Sequence, residues 1–311
     1  MVVIRPARAT DAAGILHCLR EAFQPFRPEY TAAAFRDTVL DAGSLAARMD
    51  RMVVFVAEGG GQVVGTIAAA PIDAARGHLR GMAVLPSSAA TGLGRRLLRR
   101  ALDELTAAGC RRATLNTTAP LARACRFYQS AGFAPTGQSG DLFGMPLEEF
   151  AAPLDTTFAL RDARPEDVNA IRRIVNAAYL VERHFVTGDR LGERELRSCL
   201  DTGTFLVAAR AGDPPSACVF LRPNGDRRTY LGLLAVDPVQ QQRRLSSLMM
   251  TAAERRCRLR GDTAIDISVV NLRTELPPFY HARGFVETGT APFDDPRLFT
   301  PAHFVTMALT L

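Results

Sequence analysis

Gly92, Gly94, Tyr128 and His78 have the residue types and positions best suited to chemistry in the N-terminal half of the chain. Met82-Ala83-Val84-Leu85 reads as an apolar strand stopped by Pro86, and Ser87 to Thr91 as a loop of small residues. An amphipathic helix then opens across Gly92, Leu93, Gly94 and Arg95. Glycines at such a point let a ligand approach the backbone closely. A helix N-terminus adds unpaired amides and a positive dipole end, which together suit a phosphate. The same glycines would equally serve to pack the helix against its strand. Tyr128 carries a proton that could be donated to a leaving group. His78, on the strand that leads into the loop, has an intrinsic pKa suited to accepting one near neutral pH. A structural histidine, with a water chain acting as base, is the alternative. No Ser-His-Asp or Cys-His arrangement is legible, so no acyl-enzyme is expected.

Those elements must hold these residues in one order: strand, loop, helix, strand, and a last helix closing on Arg126-Phe127-Tyr128-Gln129-Ser130-Ala131-Gly132-Phe133. The order then recurs. Val236-Asp237-Pro238 repeats Val84-Leu85-Pro86, and Phe279-Tyr280-His281-Ala282-Arg283-Gly284-Phe285 repeats the second motif. The offset is 152 residues each time (238 − 86, 280 − 128 and 284 − 132). A repeat this long is a duplicated domain, since solenoid units run to roughly 20–50 residues.

This pattern, found twice in register, resembles the GNAT family of N-acetyltransferases. The resemblance implies an α/β (α+β, mixed-sheet) class with two tandem acyl-CoA N-acyltransferase domains. Each would have a central mixed, mostly antiparallel sheet flanked by helices. The boundaries read as 1–150, a linker over 151–157, and 158–311. The implied cofactor is acetyl-CoA, and the implied acceptor is an amine of a small molecule or peptide.

By the same resemblance, Tyr128 and Tyr280 are the candidate acids for the departing thiolate. A free thiol titrates near ~8.5, so the acid's contribution is moderate. His78 is the candidate base. Backbone amides near Met82, Ala83 and Val84 would polarise the carbonyl, and the pantetheine arm would pair along that strand. Leu234, Ala235 and Val236 are the counterparts in the second copy. The family's loop, Gln/Arg-x-x-Gly-x-Gly/Ala, corresponds to Ala89, Ala90, Thr91, Gly92, Leu93 and Gly94, followed by Arg95. Here Ala89 has lost the long polar side chain. In the second copy Gln241 restores it, and Gln242 and Arg243 follow. There Arg244 replaces the first glycine and Ser246 the second. Arg244 would either close the phosphate pocket or swing outward to pair with a phosphate. Leu121 stands where relatives often carry asparagine, and Asn271 is the candidate coenzyme contact of the second copy.

The N-terminal site is therefore expected to be the better equipped. Two other readings stand beside it. One makes the C-terminal domain active, in a mycothiol-synthase-like layout. The other makes the chain a non-catalytic CoA-binding or scaffold protein.

The bulk properties agree with a soluble two-domain chain. At 311 residues, two domains are expected. The 47% hydrophobic and 23% charged fractions are those of an ordinary globular protein. No apolar run is long enough to span a membrane, and no signal peptide is legible. The six cysteines form no C-x-x-C pair and sit near no histidine cluster, so neither metal nor disulfides are expected, and the compartment reads as cytoplasmic. The formal charge of +6 comes from arginine alone, with no lysine in the chain. It could help attract a polyanionic coenzyme, but no nucleic-acid motif accompanies it. The expected assembly is a monomer or homodimer.

By the same resemblance, acceptor identity is expected to sit in the first two helical regions, the helix carrying Ile15, Leu16, Leu19 and Phe23 and the stretch from Arg27 to Ala47, where Glu21, Glu29 and Asp37 are candidates to receive an ammonium group. Arg95 and Arg96 are further phosphate candidates, and Arg99 and Arg100 read as a solvated helix face. Leu142 to Leu147 reads as the strand closing the first sheet, with Glu148 to Asp155 leading out of it.

Overall fold

A computed structural model describes residues 2–241 and 244–311, so Gln242 and Arg243 lie outside the described residues. The chain divides into two compact units, Met1–Asp155 and Thr156–Leu311. Each is built on a seven-stranded mixed sheet.

The first unit runs β1 (Val2–Pro6), α1 (Ala12–Phe23), α2 (Ala32–Val39), α3 (Ala42–Arg51), β2 (Val53–Gly59), β3 (Gln62–Pro71) and β4 (Arg76–Val84). It continues with α4 (Leu93–Ala107), β5 (Arg112–Thr118), α5 (Ala122–Ser130), β6 (Ala134–Leu142) and β7 (Met145–Pro153). The strand order is β1-β2-β3-β4-β5-β7-β6. Only β4 and β5 pair in parallel, because α4 is the crossover between them.

Sequence explains the local choices. Gly60 and Gly61, both at positive φ, form the two-residue turn that joins β2 to β3. Thr31 and Asp41 cap α2 and α3 by accepting the amides of Ala34 and Ser44. Leu97, Leu98, Ala101 and Leu105 of α4 bury one face of the sheet against Phe55, Ile67, Leu79 and Leu115. Ile15, Leu19 and Leu45 bury the other face against Val54, Val56, Ala68 and Ala83. The site residues are therefore set in a sheet with packed helices on both faces.

Three local expectations change. Phe143 and Gly144, at φ 49° and 86°, are the turn of a β6–β7 hairpin, so Leu142 to Leu147 is not one strand. Residues 151–153, read as linker, complete β7, whose Phe150, Ala151 and Ala152 are buried. Arg100 is buried with its guanidinium over the Phe55 ring at 4.6 Å, so it does not lie on a solvated face.

The second unit repeats the plan: β8 (Ala159–Asp162), α6 (Val168–Ala178), α7 (Glu193–Thr202), β9 (Thr204–Ala209), β10 (Pro215–Pro223) and β11 (Arg228–Val236). Then come α8 (Leu245–Arg260), β12 (Ala264–Val270), α9 (Leu276–His281), β13 (Val286–Pro292) and β14 (His303–Thr310). Its sheet order is β13-β14-β12-β11-β10-β9-β8. One fastening device recurs in both units. Arg5 pairs with Asp11 at 2.7 Å, and Arg161 with Asp167 at 2.5 Å, each tying the first strand to the turn ahead of the first helix. The second unit has no helix in place of α2 among its described residues.

Candidate active site

The site begins where β4 and β5 part. They pair only over Arg76–Leu79 and Arg112–Leu115. Beyond that, β5 stays with β7 while β4 stays with β3, leaving a gap in the sheet. A bulge marks the departure. Thr66 pairs with Ala83 and Ala68 with Arg80, so Gly81 and Met82 together face one residue of β3. Gly81 takes φ +59°, which glycine adopts without steric cost. The bulge recurs in β11, where Leu233 holds φ +49° in spite of its side chain.

Below the gap, Gly92 caps α4 at φ +79°. The first helical bond runs from the Arg96 amide to the Gly92 carbonyl at 3.2 Å. The preceding amides of Leu93, Gly94 and Arg95 therefore have no helical partner. Ala90, also at positive φ (62°), turns the loop toward that helix end. The two glycines serve different ends. A Cβ on Gly92 would meet nothing within 4 Å, so this glycine is required for its backbone angle and leaves open space for a ligand. A Cβ on Gly94 would lie 3.3 Å from the Met82 side chain and 3.7 Å from the Phe127 ring, so Gly94 lets α4 pack close to β4.

A cleft of about 1200 Å³ joins these parts. Met82, Ala83, Val84, Ala89, Ala90, Gly92, Gly94, Arg95, Tyr128 and His78 all line it. Of the remaining residues predicted in this loop, Leu93 buries its side chain in the core, and Thr91 turns its hydroxyl to the Ser88 carbonyl at 2.8 Å. The cradle of unpaired amides, the open space above Gly92 and the parted strands fit a phosphorylated, extended coenzyme such as acetyl-CoA.

Tyr128 stands against Phe127 and Phe133, at ring separations of 5.4 and 5.9 Å. Burial pushes its phenol well above the ordinary tyrosine value, so it stays protonated. His78 is better defined than its sequence suggested. Its Nδ1 lies 2.9 Å from the Thr114 hydroxyl, and that hydroxyl donates to the Gly77 carbonyl at 3.1 Å. Thr114 has one hydrogen, so it must accept from His78 Nδ1–H, which leaves the lone pair on Nε2. Burial, and then Arg80, hold the imidazole below its ordinary pKa, and Glu149 opposes them.

The acceptor side of the cleft is lined by Phe23, Phe26, Tyr30, Asp37, Arg48 and Phe143, among others. Tyr30 bonds Thr118 across it at 2.7 Å. Asp37 is present, but it pairs with Arg80 at 3.1 Å. Glu21 and Glu29 are exposed and do not line the cleft. The expected set of carboxylates for an ammonium group is thus not assembled. Arg48 and Thr114 were missed from sequence. Arg48 is one arginine among many, and Thr114 acquires its role only through the parallel register with His78.

The second unit's cleft is about 300 Å³. Leu234, Ala235, Val236, Gln241, Arg244, Ser246 and Tyr280 line it. Arg244 caps α8 in the same left-handed conformation as Gly92, at φ 59°. The helix start therefore survives the substitution, at a strain of about 1–2 kcal/mol. Burial pushes the Tyr280 phenol up to about 12. Asn271 does not line the cleft. Its Oδ1 accepts the His303 amide at 2.9 Å, which ties β12 to β14. Arg273, at the position of Leu121, projects into the cleft wall and is held by Glu182 at 3.0 Å and Glu275 at 2.6 Å. On the acceptor side, Phe185, Val186, Val270 and Phe293 form an apolar cluster where the first unit has its Tyr30–Thr118 bond.

Three buried cysteines are held as protonated thiols. Burial pushes Cys18 and Cys218 up to about 12 and Cys257 to about 11. Among the described residues, no group of three or more potential metal ligands is found, and no helix is long and apolar enough to cross a membrane.

Comparison with known proteins defines the class. Residues 13–133 match the acetyltransferase (GNAT) family model, and residues 162–311 match a second acetyltransferase (GNAT) domain model. The chain belongs to the GNAT family, as two tandem domains. Solved structures similar to half of it include the ribosomal-protein-S18-alanine N-acetyltransferase of Escherichia coli (21% identity, 50% of this chain and 94% of that one, TM-score 0.41). PaiA N-acetyltransferase of Thermoplasma acidophilum, in complex with coenzyme A, is similar at 16% identity over 48% and 98% of the two chains, with TM-score 0.42. YncA of Salmonella typhimurium, with its cofactor acetyl-CoA, is similar at 26% identity over 53% and 98%, with TM-score 0.40. No curated protein matches the sequence.

Proposed function

We propose that the N-terminal domain is the working acetyl-CoA-dependent N-acetyltransferase, acting on a primary amine by direct attack with both ligands bound. The C-terminal domain is then a partner with a reduced site. One observation carries this reading: the first domain's cleft of about 1200 Å³ runs unbroken from the Gly92 loop past Tyr128 to the acceptor side, against about 300 Å³ in the second.

Acetyl-CoA supplies the activated acetyl group. The amides of Leu93, Gly94 and Arg95 hold its phosphates, helped by the exposed Arg95 side chain. The free edge of β4 between the bulge and Val84 orients the reacting end along the gap. Tyr128 keeps its proton at neutral pH and is placed to donate it. His78, neutral with its lone pair on Nε2, takes the proton that an attacking amine must lose.

The test is turnover across a panel of amines, read by mass, for Tyr128→Phe beside Tyr280→Phe. Loss of a general acid costs about 100-fold or more, and the loss should fall on Tyr128→Phe. A larger loss in Tyr280→Phe would move activity to the second domain. No transfer from the wild-type chain to any amine would favour a binding or scaffold role.

A further inference from the structure

Arg48 lines the N-terminal cleft and has no part in the proposed chemistry. It sits in the last turn of α3 and reaches over the bulge of β4, where a Cβ on Gly81 would overlap its guanidinium. It lines the cleft and is half-buried, and its guanidinium makes no hydrogen bond or ion pair among the described residues. Its neighbour Arg80 takes the nearby carboxylate, Asp37, at 3.1 Å. Burial, and then Arg80, push the Arg48 guanidinium down to about 10, with Asp37 opposing, so it remains charged at neutral pH.

In the second cleft's wall Arg273, which stands at the position of Leu121 and not of Arg48, is neutralised by two carboxylates. In the first domain Arg48 and Arg80 lie near one carboxylate, Asp37, and Arg80 takes it. The Arg48 nitrogens still reach solvent, so a ligand anion would replace water there and gain a charge-assisted hydrogen bond in a partly desolvated site. The same cleft is lined by the aromatic rings of Phe23, Phe26, Tyr30 and Phe143.

We propose that Arg48 binds an anionic group of the acceptor, and that the acceptor is therefore an amine carrying a carboxylate on an apolar body. This rests on the N-terminal domain being the transferase. The guanidinium lies beside the point where β4 and β5 part, so a carboxylate held there would keep the attached amine near the reacting end of the groove. Arg48 is thus a specificity-determining residue that touches substrate.

The experiment compares matched pairs of acceptors, L-phenylalanine with L-phenylalaninamide and L-methionine with L-methioninamide, in wild type, Arg48→Gln and Arg48→Lys. Both binding to the CoA complex, by calorimetry, and kcat/KM are read. A charged hydrogen bond of this kind is worth about 10- to 100-fold. The carboxylate members should be preferred by that factor in wild type. The ratio should collapse toward one in Arg48→Gln and be partly restored in Arg48→Lys. Coenzyme A titration of each variant verifies folding. Equal use of the amides, a preference that survives Arg48→Gln, or failure of every carboxylate member to bind would overturn the proposal. Transfer to the amides alone would do so while leaving the transferase reading intact. Absence of coenzyme binding would instead remove the transferase reading itself, and this proposal with it.

Discussion

Substitution at Gly92 separates the backbone from the charge of the proposed phosphate cradle. Gly92 holds φ +79°, and a Cβ there meets no atom within 4 Å. Gly92→Ala should therefore cost strain alone, about 1–2 kcal/mol, or a fall of roughly 2–4 °C in Tm for each kcal/mol in a chain of this size. Arg244 already bears that strain at the corresponding position. Coenzyme A affinity in Gly92→Ala should stay within about threefold, since the amides of Leu93, Gly94 and Arg95 are untouched. Gly92→Glu adds a carboxylate to the same open space. A unit charge about 4 Å from a phosphate costs about 1 kcal/mol in water and about 4 kcal/mol at a protein surface. A value near 2 kcal/mol is about a 30-fold loss of affinity. Calorimetric titration gives the affinities and thermal melts give the strain. Raising the salt should narrow the gap between the Ala and Glu variants. The reasoning fails if Gly92→Ala loses affinity as severely as Gly92→Glu, or if Gly92→Glu binds coenzyme A as wild type does.

The acid limb of the kcat/KM profile should report His78 and lie below pH ~6.5, because burial and Arg80 favour the neutral ring. His78→Gln should remove that limb. The same shift has a stability consequence: the native state binds fewer protons here than the unfolded chain, so this contribution is present above ~6.5 and is lost as pH falls through the lower folded value. Denaturant melts at several pH values, with His78→Gln as control, measure it. Asp11→Ala leaves the buried Arg5 with Glu58, at 2.7 Å, and the Pro6 carbonyl, at 3.2 Å, and should destabilise the chain by about 3 kcal/mol or more, read as a lower denaturant midpoint. Gly81→Ala should displace the Arg48 guanidinium without removing its charge, lowering the carboxylate-to-amide preference in the acceptor pairs.

The duplicated plan was legible because it rests on local signals. Pro86 and Pro238 end strands, the Gly59-Gly60-Gly61 run makes a hairpin, and the Tyr128 and Tyr280 motifs close helices in register. What was not legible depends on side chains distant in sequence. Thr114 fixes the tautomer of His78 from 36 residues away, through a parallel pairing that no local pattern shows. Arg48 matters because Arg80, not Arg48, takes Asp37. The β6–β7 hairpin was missed because Phe143 holds a left-handed angle that its residue type disfavours. The apolar cluster of Phe185, Val270 and Phe293 in the second unit joins three separate segments, which no local pattern shows.

Titration of acetyl-CoA into the intact chain by calorimetry tests the central claim most directly. The account predicts one site per chain, weakened about 30-fold in Gly92→Glu and unchanged when the corresponding charge is placed in the second domain by Arg244→Glu. Two sites, or a single site whose affinity is unchanged in Gly92→Glu and falls in Arg244→Glu, would contradict it.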